Sequence, residues 1–278
     1  MPFFLMTPAL IWQVLFFYIP IGLVIILSVL RTTPIGSIHI TLSHYVPFFA
    51  RPFFAIIARS LVLAIVTSFL SFLFCYPVAY FISFCAKRFK RILLFCLVLP
   101  FFTSLLIQVF AWFFLLEREG VINATLLLSG IIREPLTLLN NNFAIYLVMI
   151  YCYLPFMIFP IYTILEKINP LLAEASSDLG ASPWQTFLRI TFPLSFPGIK
   201  TGLFLVFIPA FGEFVVPGLM GGNKQFYVGS LIVHYFLAAQ NEYAGAAFTV
   251  ISCFVLIIAT FALHLILKHT LFGSRDKI

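Results

Sequence analysis

Hydrophobic positions in this chain neither alternate with polar ones nor recur every third or fourth residue; they run in unbroken blocks. A helix needs about 20 apolar residues to cross the roughly 30 Å hydrocarbon layer. Blocks at 8–30, 60–84, 92–116, 143–165, 199–219 and 246–267 are all long enough. Runs such as LVMIYCYLPFMIFPIY lack the period-two pattern of a transmembrane β-strand. The pattern therefore predicts an all-α polytopic membrane protein with six transmembrane helices.

Composition agrees and narrows the classes. Of 278 residues, 63% are hydrophobic and only 9% charged, too few to wet the surface of a soluble domain. A soluble enzyme, a disordered chain and a nucleic-acid-binding chain are excluded; the excess of 16 Lys/Arg over 9 Asp/Glu reads instead as cytoplasmic loop charge. No Lys or Arg precedes the first block, so it is expected to stay as an anchor and not to be cleaved as a signal peptide. The five cysteines lie in apolar stretches without CxxC spacing, and the five histidines are scattered, so no metal is expected.

Loop charges set the expected orientation. Lys87, Arg88, Lys90 and Arg91 form a tight basic loop; placing it inside puts both termini in the cytoplasm, with 10 Lys/Arg inside and 6 outside. Arg31, just after the first block, opposes this alone. Prolines recur inside the blocks: Pro77, Pro100, Pro155, Pro160, Pro209 and Pro217. Each removes a helix hydrogen bond, as expected of helices that bend around a pathway. No internal repeat is visible, which weakens an inverted-repeat carrier.

The segment 166–200 is too polar to cross and carries helix signals twice. Asn169-Pro170 reads as an N-cap followed by a first-turn proline, opening a helix over 170–179 that Gly180 ends. Ser182-Pro183-Trp184-Gln185 then has capping-box spacing, with Phe187, Leu188 and Ile190 as an apolar face. Pro193 and Pro197 are expected to stop this second helix before the fifth span.

Glu174-Ala175-Ser176, three residues, Gly180, nine residues and Ile190-Thr191-Phe192-Pro193 resemble the E-A-A, G, I-x-L-P loop of ABC-importer permeases. Ser176 stands for Ala and Phe192 for Leu. Further likeness runs from about Arg59 to Lys268, towards the spermidine/putrescine subgroup. Its pieces are Tyr76-Pro77-Val78-Ala79-Tyr80, the stretch from Pro100-Phe101-Phe102-Thr103-Ser104 to Gln108, Tyr153-Leu154-Pro155-Phe156-Met157, Leu165-Glu166-Lys167-Ile168, Pro209-Ala210-Phe211-Gly212-Glu213-Phe214 and Met220-Gly221-Gly222. Gln108 replaces a frequent Arg and Phe102 a frequent Trp.

The resemblance implies a type I importer permease fold: an N-terminal helix and outer loop at 1–58, the permease domain at 59–268 and a cytoplasmic tail at 269–278. It also implies that Glu174, Ala175, Gly180, Ser182, Pro183, Ile190 and Pro193 couple the chain to a cytoplasmic ATP-binding subunit. A second homologous permease, an extracytoplasmic substrate-binding protein and membrane lipid are the other implied partners, with no nucleic acid. No G-x-x-x-x-G-K-[ST] loop occurs, so no cofactor is expected in this chain and ATP belongs to the partner ATPase.

Glu213 is the carboxylate deepest in a predicted span, flanked by Gly212 and prolines. A charge at the centre of a span costs about 2.5–3.5 kcal/mol, so such a residue faces a cavity or a partner. Glu213 is the candidate for meeting a cationic cargo, with Gln108, Trp112, Tyr151 and Tyr153 beside the pathway; pairing of Glu213 within the bundle is the alternative. An importer of iron, thiamine or another solute, a proton-coupled carrier, and a membrane enzyme remain as other readings. The enzyme would need a polar constellation at membrane depth that the sequence does not display.

Overall fold

The computed structural model describes residues 2–32, 38–86, 88–222 and 225–272. Lys87 of the basic loop and positions 273–278 of the expected tail lie outside the described residues. Helices α1 (Pro2–Gln13) and α2 (Ile19–Val29) are joined by a π turn, and Thr7–Val29 forms the first candidate span. Strands β1 (Leu30–Thr32) and β2 (Ile38–Ile40) pair antiparallel, with Arg31 opposite His39. Next come α3 (Arg51–Tyr80), α4 (Lys90–Val98), α5 (Leu105–Leu116), α6 (Val121–Leu128) and α7 (Asn142–Leu165). The remainder is α8 (Leu171–Asp178), α9 (Pro183–Thr186), α10 (Phe192–Phe211), α11 (Val215–Met220), α12 (Val228–Val233) and α13 (Glu242–Phe272).

Among the described residues, 5 helices are long and apolar enough to cross a membrane, or 6 when the bent pair Lys90–Phe102 and Leu105–Leu128 counts as one span. The fold is thus the expected all-α polytopic one, with two corrections to the spans. The block at 92–116 is not one straight helix: it bends by 98° at Thr103-Ser104. Pro100 has no N–H to give the ladder, and Leu99–Phe102 tightens into a 3₁₀ turn before Thr103 goes extended. The fifth span does not begin after Pro197, because helix runs from Pro183 through to Phe211. Its π turn Phe187–Thr191 bonds the Phe192 N–H to Phe187 O, so the ladder is already shifted where Pro193 would break it. That span then ends at Gly212, leaving the rest of the predicted block to α11.

Two compact units divide the chain: Met1–Arg59 with Phe226–Ala259, and Ser60–Gln225 with Thr260–Ile278. In the first, Phe48 centres a ring cluster with Phe53 at 4.9 Å and Phe248 at 5.1 Å, and the Tyr45 hydroxyl donates to Ser28 Oγ at 2.8 Å. In the second, α7 and α10 form the core, with Met149, Met157, Ile158, Ile161, Val206 and Ala210 all buried. Their close approach rests on Gly198 and Gly202, four residues apart on one face of α10. A Cβ on Gly198 would lie 2.6 Å from the Pro160 carbonyl oxygen, and one on Gly202 2.7 Å from Met157 Sδ.

Candidate functional site

Two constructions in the second unit carry the predicted site residues. The first is a helical hairpin. Helix α8 starts at Leu171, one residue later than expected, and the Asn169 side chain accepts the Leu171 N–H at 3.0 Å. At its other end Gly180 takes φ +79°, where a side chain is strained. Gly180 N–H reaches Ser177 O and Ala181 N–H reaches Ser176 O, a Schellman closure that satisfies the last carbonyls. The capping box follows at once. Ser182 Oγ accepts from Gln185 N–H at 3.3 Å, and Gln185 Oε1 accepts from Ser182 N–H at 2.9 Å.

A buried hydroxyl pair, Ser176 and Thr186 at 2.7 Å, ties the two arms together. Ser176 is the departure from Ala noted above, and this bond gives its hydroxyl a partner. Outside the turn, Glu174, Ala175, Ser182, Pro183 and Pro193 are exposed, Ile190 is half-buried, and Leu171, Leu179, Trp184 and Leu188 present an apolar surface.

Phe187 and Phe192 root the hairpin. Phe187 packs edge-on against Tyr80 at 5.6 Å and Tyr76 at 5.9 Å; Phe192 meets Tyr76 at 5.7 Å. The Tyr76 hydroxyl pairs with Ser195 Oγ at 3.1 Å. The motif at 76–80 is therefore the socket of the hairpin, and Phe192 in place of Leu supplies a ring to it. Nearby, Lys90 Nζ donates to Glu166 Oε1 at 2.6 Å, joining the start of α4 to the end of α7. That bond, and next the one with the Tyr162 side chain, hold the Glu166 carboxyl below the usual glutamate value.

The second construction is a cleft of about 290 Å³, lined by Pro100, Phe101, Thr103, Leu105, Gln108, Cys152, Tyr153, Pro155 and Phe156. Its walls are the 100–108 and 153–157 motifs, distant in sequence and brought together by the bend before α5. Gln108 fixes that bend: its Nε2 donates to Pro100 O at 2.6 Å and Thr103 Oγ1 at 3.0 Å.

Behind Tyr153 sits Glu213, 9% exposed, in the break between α10 and α11. Its Oε2 accepts from the Tyr153 hydroxyl at 2.8 Å. Its Oε1 accepts from Phe214 N–H at 3.1 Å and Val215 N–H at 2.9 Å. Glu213 is thus partnered within the bundle and does not itself line the cleft; Tyr153 stands between them. Trp112 and Tyr151 form an edge-on pair at 5.4 Å, both half-buried. Sequence reasoning missed Gly198 and Gly202, although their four-residue spacing was a readable signal. It also missed Ser195, whose polarity inside an apolar run pointed to a buried partner. Among the described residues no group of three His, Cys, Asp or Glu could hold a metal.

The chain is 34% identical over 248 residues to the spermidine/putrescine transport system permease protein PotB of Haemophilus influenzae, covering 88% of this chain and 87% of that one. It is 34% identical over 238 residues to PotB of Escherichia coli, covering 85% and 86%. Its fold matches, with a TM-score of 0.75 at 20% identity over 96% of this chain and 94% of the other, the crystal structure of a bacterial ABC transporter involved in the import of the acidic polysaccharide alginate. With a family match over residues 76–271 added to these likenesses, the chain belongs to the binding-protein-dependent transport system inner membrane components.

Proposed function

We propose that this chain is a permease subunit of an ATP-driven polyamine importer, supplying half of the pathway and one docking hairpin for a cytoplasmic ATPase. The observation that carries the reading is the hairpin. It is capped at the turn by two independent devices, rooted by aromatic packing, and left with an exposed apolar and acidic surface. A lone carrier has no use for such a rigid external lever. A second homologous permease would complete the pathway, and an extracytoplasmic binding protein would deliver cargo. The loop charges favour a cytoplasmic hairpin and cytoplasmic termini.

The cleft supports a cationic, aliphatic cargo. Pro100, Phe101, Pro155 and Phe156 offer apolar walls for methylene segments, while Gln108 and Tyr153 add polar groups. Rotation of Tyr153 away from Glu213 would uncover a carboxylate. At an effective dielectric near 20, that carboxylate gains about 4 kcal/mol from an ammonium at 4 Å, several times the net worth of one neutral hydrogen bond. Trp112 and Tyr151 could add cation–π contacts of about 0.5–2 kcal/mol each.

Reconstitution with the partner ATPase, second permease and binding protein tests the reading directly. ATP-dependent spermidine or putrescine uptake that requires every component is expected; uptake by this chain alone, or of another solute class only, would refute it. Cysteine placed at position 182 should resist a membrane-impermeant reagent applied outside intact cells, and labelling there would reverse the orientation.

A further inference from the structure

Two lysines, Lys200 in the middle of α10 and Lys268 near the end of α13, belong to neither the cleft nor the hairpin. Lys200, half-buried, interrupts the apolar sequence of α10, and Lys268, exposed, follows the last apolar run of α13. Among the described residues, the one ion pair is Lys90 with Glu166, so neither lysine has a carboxylate within bridging distance. Phe204 on α10 and His264 on α13 stack, with ring centroids 6.3 Å apart and an interplanar angle of 29°. Lys200 lies one turn before Phe204, and Lys268 one turn after His264.

Consecutive spans cross in opposite directions, so both one-turn steps, about 6 Å each, lead the same way. They lead towards the end that carries the α8–α9 hairpin. The two lysines therefore lie on the same side of the Phe204–His264 contact, Lys200 within the continuous helix Pro183–Phe211 and Lys268 near the end of α13. One turn the other way, Ile208 and Phe261 are exposed apolar residues on the same faces, 43% and 63% accessible.

We propose that Lys200 and Lys268, braced by the Phe204–His264 stack, bind the headgroup of an anionic phospholipid whose acyl chains lie along Ile208 and Phe261. Two ammonium groups with no ion-pair partner among the described residues suit a phosphodiester, each donating charge-assisted hydrogen bonds to its oxygens. The apolar ledge directly beneath makes the ligand a lipid and not a free anion. This site is separate from the cleft and the hairpin and does not depend on the cargo.

The delipidated full-length chain, titrated with phosphatidylglycerol or phosphatidylcholine and followed by native mass spectrometry, provides the test. Wild type should prefer phosphatidylglycerol. Lys200→Gln and Lys268→Gln should each weaken that preference about fivefold, and together about twenty-fivefold, as expected for two lysines at a charged membrane surface. Lys200→Arg and Lys268→Arg should retain it, and the single variants remain decisive if the double variant fails to insert. An unchanged preference in the Gln variants overturns the site. So does an equal loss in Lys167→Gln, which would mean diffuse attraction, or displacement of the lipid by millimolar inorganic phosphate, which would mean a free-anion site.

Discussion

The hairpin at α8–α9 and the cleft beside α5 and α7 solve different problems with the same residue types. In the hairpin, every group that fixes the turn lies within a few residues: Ser176, Ser177, Gly180, Ala181, Ser182 and Gln185 satisfy one another's backbone. In the cleft, Gln108 bonds locally to Pro100 and Thr103, but the contact that sets the polar wall is remote. Tyr153 reaches Glu213 across 60 residues, and the walls come from two separate spans. Short-range bonds give the hairpin turn a shape that its own residues specify. Long-range bonds make the cleft a property of how α7 packs on α10, and hence a place that changes when they shift.

This contrast can be broken most forcefully at the helix contact. Gly202→Leu places atoms against Met157, where even a Cβ would come within 2.7 Å of the sulfur. Overpacking at a site this tight should cost about 3 kcal/mol or more and lower both Tm and the monodisperse yield of purified protein. Wild-type values would mean that α7 and α10 can separate without harm.

Next come Tyr153→Phe and Glu213→Gln. Each removes or mismatches a buried hydrogen bond, for an expected loss of about 1–2 kcal/mol. Each should also cut uptake several-fold while the ATPase still co-purifies. Unchanged uptake and Tm in both variants would leave the cleft's polar wall without a role.

Ser182→Ala and Gly180→Ala should behave differently. Each costs about 1 kcal/mol, the first by loss of the cap and the second by strain at φ +79°, with open space around the new methyl group. The effect should stay local. Hydrogen exchange should quicken about fivefold at 182–186 with little change in global Tm, and ATP hydrolysis should lose its dependence on transport. A global fall in Tm would show that the hairpin is not an independent element.

The smallest effect concerns Lys90 and Glu166. Because the folded carboxyl titrates below its unfolded value, near pH 4.3, the pair stabilises above that pH. The contribution fades as pH falls through the lower, folded value. Both groups are partly exposed, so it is expected to stay under about 1 kcal/mol. Lys90→Met should abolish this acid-side slope in Tm; an unchanged slope would assign it to other carboxylates.

Sequence alone determined the membrane class, the approximate spans and the hairpin, with Gly180 as its turn and Ser182–Gln185 as its cap. These rest on interactions within one turn or on the length of an apolar block, and both can be read along a line. It misjudged Pro193, beside a π turn whose Phe187 packs against the remote Tyr76 and Tyr80, and Pro197, which stands inside α10 without ending it. It named Glu213, Gln108 and Tyr153 but could not divide their work. Whether a buried carboxylate meets a cavity or a neighbour depends on which side chain the packing brings against it. Only the tertiary structure, by seating α10 on α7 through Gly198 and Gly202, put Tyr153 between Glu213 and the cleft.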